Sequence, residues 1–452
     1  MRRAALLVLF CVAALFAGRD AFAIVEAKEV VSPGGIKAWL VEDHSVPVIA
    51  IDFEFAGGSA YDPEGKEGLA YLASGLLDEG AGEMTALAFQ QALEEHAIKM
   101  GFEARQDWFS GEMKILSSEA VPAFELLGLA LSAPRFDQDA VERVRQQVLS
   151  MQLYDAQQPR RMAWKIWRAQ ALEGHPYARF RKGTAESIAA ITQADLRAFM
   201  ARHATRASLR IGVVGDITAQ ELGPLLDDAF GRLPQGEGTA DLPPAPFPKA
   251  GELAHLAQDI SQSVVIFGAP GLKREDPRWY AWSVLNYVLG GGGFSSRLME
   301  EVRRKRGLTY GVSTSLSSSQ EGGLIVGSAS TRSARVGETV QVIRDELARI
   351  AEDGITEQEL ADARTYLLGS YPLYFTESDD IAVQLVGVQR FGLGQSYFAD
   401  RAGLIEAVSL EDVNALAEEF LQPGNFFWLV LGADPGPLEG DGVAHPATEG
   451  DN

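Results

Sequence analysis

The chain has 452 residues, with 62 acidic and 40 basic side chains and a formal net charge of −22 at pH 7. That balance argues against a nucleic-acid partner. The length exceeds what one hydrophobic core organises and suits two domains of roughly 200 residues each.

Arg2 and Arg3 precede an apolar run from Ala4 to Gly18, and Ala21-Phe22-Ala23 supplies a small-x-small cleavage pattern. Residues 1–23 therefore read as a secretory signal peptide cut after Ala23. An apolar run this short falls below the ~20 residues a spanning helix needs. The expected destination is outside the cytoplasm, in the periplasm, with no membrane attachment after cleavage. Cys11 is the only cysteine and lies in this segment, so the mature chain is expected to form no disulfide and to bind no metal through thiolate.

The first half begins with a strand pattern at 46–55. The turn Asp62-Pro63 and the stretch KEGLAYLASGLLDEGAG (66–82) follow, predicting a helix that stops at Gly80. Leu69, Leu72, Ala73 and Leu76 form its core stripe. A second stripe, Tyr71, Ser74, Gly75 and Asp78, is neither apolar nor usefully charged, and Gly75 in mid-helix costs about 1 kcal/mol relative to Ala. A second strand pattern at 109–117 and long helical stretches at 120–133 and 139–157 come next. The Pro- and Gly-rich segment 234–251 reads as an interdomain linker.

Beyond the linker the chain echoes itself. Thr192 with Asp195, a capping-box signal, returns as Ser409 with Asp412, and the strand-ending Gly215 returns as Gly432, both 217 positions later. Asp62-Pro63 returns as Asp276-Pro277, 214 positions on. Strand patterns recur at 264–270 and 324–330. The repeat predicts two homologous domains, 24–233 and 252–433, followed by a disordered tail, 434–452. Strands and helices alternate too loosely for a doubly wound parallel sheet. The expected fold is α+β: two sandwich domains, each a mostly antiparallel sheet with helices packed on it, closing like a clam.

The stretch GGSAYDPEGKEGLAYLASGLLDEGAG (57–82) resembles the opening of the pitrilysin, insulinase and mitochondrial processing peptidase family, zinc peptidases built from paired α+β domains. HPYARFRKGTAESIAAITQADLRAFMARH (175–203) and GGGGFSSRLMEEVRRKRGLTYGV (290–312) carry the same likeness, which covers essentially the whole mature chain. Active members bear H-x-x-E-H on the first helix, where two His one turn apart reach one Zn2+ and the Glu polarises a water. Here the matching positions are Tyr71, Ser74 and Gly75. The family's third ligand, a Glu, would fall near Ser150 to Gln152, where no acid stands. The resemblance thus implies no metal and no catalytic residue in this chain.

The six histidines contain no i, i+3 or i, i+4 pair. His96, beside Glu94 and Glu95, reads as part of a solvated face, His175 as a turn or cap residue, and Glu67, Asp78 and Glu79 as helix-terminal surface charges. There is no G-x-S-x-G nucleophile elbow.

In the family an Arg and Tyr of the C-terminal domain hold the substrate backbone near the scissile bond, and Arg303 and Tyr310 match that pair. FSSRLMEEVRRK reads as a helix, Gly307 as its stop, and LTYGVSTSL as a strand. Gly290, Gly291, Gly292 and Gly293 read as a helix-terminal loop. The resemblance adds a possible role for them in admitting substrate.

The expectation is a non-catalytic, substrate-binding subunit of an exported heterodimeric zinc peptidase acting on unfolded peptides. The zinc would lie in a separate homologous H-x-x-E-H subunit. Two alternatives are an autonomous peptide-binding or assembly protein and a peptidase with an unorthodox metal site.

Overall fold

The computed structural model describes residues 25–438. The expected signal peptide and most of the expected tail lie outside them.

The first half builds a six-stranded sheet from β1 (Lys28–Val31), β2 (Lys37–Glu42), β3 (Val48–Ala56), β6 (Lys99–Ala104), β7 (Trp108–Leu116) and β8 (Arg210–Gly215), in the order β1-β2-β8-β3-β7-β6. A separate small ribbon pairs β4 (Gly80–Ala81) with β5 (Met84–Thr85). The second half builds a five-stranded sheet from β9 (Leu253–Ala257), β10 (Gln262–Gly271), β11 (Thr309–Ser319), β12 (Gly322–Arg332) and β13 (Phe427–Gly432), in the order β11-β12-β10-β13-β9. Each sheet is antiparallel apart from one parallel pair, β2 with β8 and β9 with β13. The α+β architecture expected from the sequence is the one found.

The repeat is structural. Helices Gln193–His203 and Leu410–Phe420 both start in complete capping boxes, at Thr192 with Asp195 and at Ser409 with Asp412. Each runs into the strand that ends at the paired glycine. Gly215 and Gly432 adopt φ of +139° and +133°. A Cβ on either would lie 2.1 Å from Val48 O or 2.3 Å from Ser263 Oγ, so only glycine fits at both strand ends.

One face of each sheet is covered by helices of its own half. Phe53, Phe55, Phe124 and Phe230 are buried in the first core, and Phe267, Trp282 and Trp428 in the second. The other face of each sheet is covered from the opposite half. Helix Pro159–Ala171 of the first half lies on β10 and β13, where Trp167 stacks on Phe427 and donates its indole N–H to the Phe427 carbonyl at 3.1 Å. Helix Ser378–Arg390 of the second half lies on β3 and β8, packing Ala382, Leu385 and Val388 over Val214. There Arg390 grips the fully buried Glu54 through its Nε at 2.9 and 3.0 Å and through Nη2. Amphipathic periodicity announces that a helix face is buried and is silent on which sheet buries it.

Segment 234–251 contains no regular helix or strand and packs as a strap. Leu242, Ala245 and Phe247 join the apolar cluster around Trp167, and the Ala245 N–H bonds to Glu321 O at 2.9 Å. Within the expected disordered tail the last described residue, Leu438, is 8 % exposed and packs into the second core. Among the described residues no helix is long and apolar enough to cross a membrane.

Candidate functional site

The helix carrying the vacated metal positions spans only Leu69–Ser74. The expected extension to Gly80 does not form: Gly75 ends the α-helix and the chain continues as turns through Asp78. Asp62 caps the start, its carboxylate accepting from the Gly68 and Ala70 N–H groups at 2.8 and 2.9 Å. Burial pushes that carboxyl up to about 7 despite the N–H donors. Glu79 is not a loose surface charge. It forms a bidentate pair with Arg143 at 2.6 and 2.7 Å, fastening the turn after the short helix to helix Gln138–Ala156. Asp78 accepts from Gln90, and burial raises its carboxyl.

The three positions matching H-x-x-E-H do not fit a metal. The Tyr71 hydroxyl points to Met151 Sδ at 3.8 Å, and Ser74 is buried with its hydroxyl donated to the Tyr71 carbonyl at 2.9 Å. A Cβ built on Gly75 would lie 3.1 Å from a Val144 methyl, so a side chain there would need Val144 to give way. On the neighbouring helix, Ser150 bonds to the Gln146 carbonyl and Gln152 donates to the Lys182 and Gly183 carbonyls. Arg181 and Lys182 each lie 5.8 Å from the centre of the Tyr71 ring, so that ring is engaged by side-chain cations. Among the described residues no three His, Cys, Asp or Glu side chains converge as a metal site would require.

The histidines are engaged elsewhere. His175 caps a short turn by accepting from the Tyr177 N–H at 3.1 Å, and its Nε2 lies 2.8 Å from Pro243 O. His96 pairs with Glu119 at 2.7 Å, and His44 with Asp216 at 2.7 Å. His203 is buried, and desolvation pulls its imidazole down to about 4.

In the second half, Arg303 lies in a π-helical stretch, Met299–Arg304, rather than a plain α-helix, and Gly307 at φ +60° closes it. The wider turns reflect bonds such as Lys305 N–H to Glu300 O at 3.0 Å. Arg303 stacks over the Phe294 ring at 4.8 Å. Tyr310 stands at a register shift in β11 and is 84 % exposed. Among the described residues neither the Arg303 guanidinium nor the Tyr310 hydroxyl has a hydrogen-bond partner, and neither touches Tyr71, Ser74 or Gly75.

Gly290 to Gly292 pass from a π-helical turn, Tyr287–Gly291, into a 3-10 turn, Gly293–Ser295. Close packing calls for these glycines: a Cβ would lie 2.5 Å from Thr314 Oγ1 at Gly290, 2.5 Å from the Asn286 amide at Gly291 and 2.7 Å from the Tyr287 carbonyl at Gly292. Gly293 is open and takes φ +57°. The run ends at Phe294, which is 68 % exposed and is the ring under Arg303.

The sequence reading missed a cavity of about 810 Å³ between the halves, adjoining the vacated metal positions through Gln152 and Lys182. Its first wall is helix Pro159–Ala171 with residues 179–182; Leu324 and Val326 of β12 close it from the second half. The signal was present, since Arg161, Lys165 and Arg168 recur at i, i+4 and i+7 on that helix.

The sequence and structural comparisons agree with this geometry. Residues 190–367 match the model described as Peptidase M16 inactive domain. A Helicobacter pylori protein named non-peptidase homolog YmxG is 29% identical over 377 residues, covering 82% of this chain and 86% of that one. An uncharacterized zinc protease of Mycobacterium leprae is 29% identical over 404 residues, covering 86% and 88%. Among solved structures, a peptidase M16 inactive domain from Pseudomonas fluorescens superposes with a TM-score of 0.85 at 29% identity, covering 93% of this chain and 99% of that one. Residues 190–367 thus match the M16 inactive domain, and along nearly its whole described length the chain is similar to M16 proteins, in line with the pitrilysin, insulinase and processing-peptidase likeness of its motifs.

Proposed function

We propose that this chain is the non-catalytic, substrate-binding subunit of an exported two-subunit zinc peptidase. Zinc and the H-x-x-E-H helix reside in a separate homologous chain, and this one completes the chamber and holds unfolded peptide. The observation that carries the reading is an asymmetry of donors. The Tyr71, Ser74 and Gly75 positions offer no ligand to a metal ion, whereas among the described residues the Arg303 and Tyr310 donors make no hydrogen bond. A guanidinium and a phenol are good donors to a peptide carbonyl, and Arg keeps its charge at any working pH. Phe294 beneath Arg303 extends the clamp with an apolar surface and ties the glycine run to it. Export to the periplasm and cleavage after Ala23 belong to the same proposal. The named relative, a non-peptidase homolog, supports the inactive assignment.

The test is reconstitution with an H-x-x-E-H homologue from the same source, reading mass and peptide turnover together. Arg303→Ala should slow turnover by roughly tenfold or more, the scale of one lost charged hydrogen bond. Tyr310→Phe should slow it by a smaller factor, and both variants should still assemble. Turnover unchanged in both, or chelator-sensitive peptidase activity in this chain alone, would overturn the reading.

A further inference from the structure

The cavity between the halves has a charge opposite to that of the whole chain. Seven cationic side chains and a single carboxylate line it, in a protein of net charge −22. Helix Pro159–Ala171 supplies Arg161, Lys165 and Arg168 from one face. Residues 179–182 supply three more cations, and Arg105 the last.

Internal pairing does not discharge the cavity. Asp155 serves both Arg161 and Lys182, the latter at 2.7 Å, and Glu103 serves Arg105 at 2.9 Å and Arg181 at 3.0 Å. The remaining three make no ion pair among the described residues. Arg168 donates to the Tyr177 carbonyl at 2.9 Å, Arg179 to the Asp62 carbonyl at 2.9 Å, and the Lys165 ammonium lies 4.7 Å from the centre of the Phe180 ring. The buried Asp107 carboxylate also acts on Arg168 through space. Three carboxylates therefore answer seven cations. Gathering like charges in a concave, partly desolvated space is costly unless an anion enters it.

The space is also too large and too apolar for a small anion alone. Trp164, Ile166 and Phe180, with Leu324 and Val326 opposite, give it greasy walls. Its volume of about 810 Å³ is that of a site for a ligand of several residues. Carboxylates spaced by apolar side chains would satisfy both sets of walls at once.

Resting on the peptide-binding role assigned above, we propose that this cavity is a subsite for the acidic part of a peptide. Glu or Asp side chains, or a terminal carboxylate, bind Lys165, Arg168 and Arg179, and an intervening apolar residue lies against Trp164 and Phe180. The chain's overall charge of −22 disfavours acidic peptides on average, and the cavity reverses that preference locally.

The test uses the mature chain and a fluorescent, extended twelve-residue peptide with alternating Glu and Phe at its centre. Versions with Gln or Lys in place of Glu, and inorganic phosphate as competitor, complete the set. The Glu peptide should bind at least roughly tenfold more tightly than the Gln peptide at low ionic strength, and the preference should shrink with added salt. Lys165→Gln with Arg168→Gln should remove most of that preference. Arg304→Gln, a cation 69% exposed in the second half, should leave it unchanged. If the loss of Arg168 unfolds the protein, the exposed Lys165→Gln alone should still reduce the preference several-fold.

Equal affinity for the Glu and Gln peptides would overturn the subsite, as would an unaltered preference in Lys165→Gln. Phosphate displacing the Glu peptide at the peptide's own dissociation constant would reassign the cavity to a small anion and also overturn it. If charge makes no difference but the chain still stimulates a zinc-bearing partner, the subsite fails and the subunit reading survives. If acidic peptides bind and no partner is stimulated, the subunit reading is the one that fails.

Discussion

The two sheets meet the same need by different chemistry. Each must cover its second face with a helix from the other half. Over the second sheet the contact is aromatic, with Trp167 stacked on Phe427 among Val264, Ile266 and Leu429. Over the first sheet it is ionic at the centre: Glu54, fully buried, is held by Arg390 and by Arg210 at 3.3 Å, while Lys114 pairs with Asp379 at 2.9 Å near the start of the covering helix. The aromatic contact depends on shape and tolerates any pH. The ionic contact depends on protonation state, and Asp52, beside Glu54 on the same strand, sharpens that dependence. Burial, reinforced by the Glu54 charge, pushes the Asp52 carboxyl up to about 7.

The largest effect is expected on the aromatic side. Trp167→Ala empties a packed site between the halves and should cost about 4 kcal/mol in chemical denaturation. A loss below about 1 kcal/mol would mean that the aromatic contact is incidental. Arg390→Ala should cost about 3 kcal/mol, less than severing a fully isolated buried pair because Arg210 still answers Glu54.

The pH dependence separates the two faces. A carboxyl whose folded value lies above its unfolded one favours folding while protonated. Its contribution therefore declines as pH rises from the ordinary value near 3.8 to about 7. Asp52→Asn should flatten that decline, so that the variant gains stability relative to wild type as pH rises from 4 to 7. Denaturation at several pH values reads the difference directly, and a parallel pair of curves would dismiss the buried acid as a contributor. Trp167→Ala should shift the curve without changing its slope. The smallest effects should be matched: Thr192→Ala and Ser409→Ala remove equivalent caps and should each cost about 1 kcal/mol. Unequal costs would show that the repeat is preserved in geometry and not in energetics.

Local and repeating features were legible in the sequence. The capping boxes, the strand-ending Gly215 and Gly432 and the main strands carry their signals in neighbouring residues, and the offset between copies pairs a capped helix and a glycine-ended strand in each half. The misfit of Tyr71, Ser74 and Gly75 to zinc was equally plain, because ligand chemistry is a property of side-chain type. Three features were obscured. The helix over the vacated site stops at Gly75, where apolar spacing alone would carry it further, because glycine's poor helix propensity prevails and the next residues fold into turns fastened by Glu79 and Arg143. The crossed placement of helices Pro159–Ala171 and Ser378–Arg390 depends on contacts made across most of the chain, which no local pattern encodes. The cationic cavity draws on residues at 105, 161–168 and 179–182, and an overall charge of −22 conceals it. The glycine run shows the converse: a pattern visible at once, whose reason is the backbone and side-chain crowding around Gly290, Gly291 and Gly292.

The crossed helices make the protein indivisible. A polypeptide severed in the strap at 234–251 yields two products, each bearing a sheet with one face bare, aromatic and aliphatic in one and carrying the buried Glu54 in the other, and a helix with nothing to lie on. Neither product alone is a finished object, yet each is the other's missing lid, so co-expression should recover what separate expression loses.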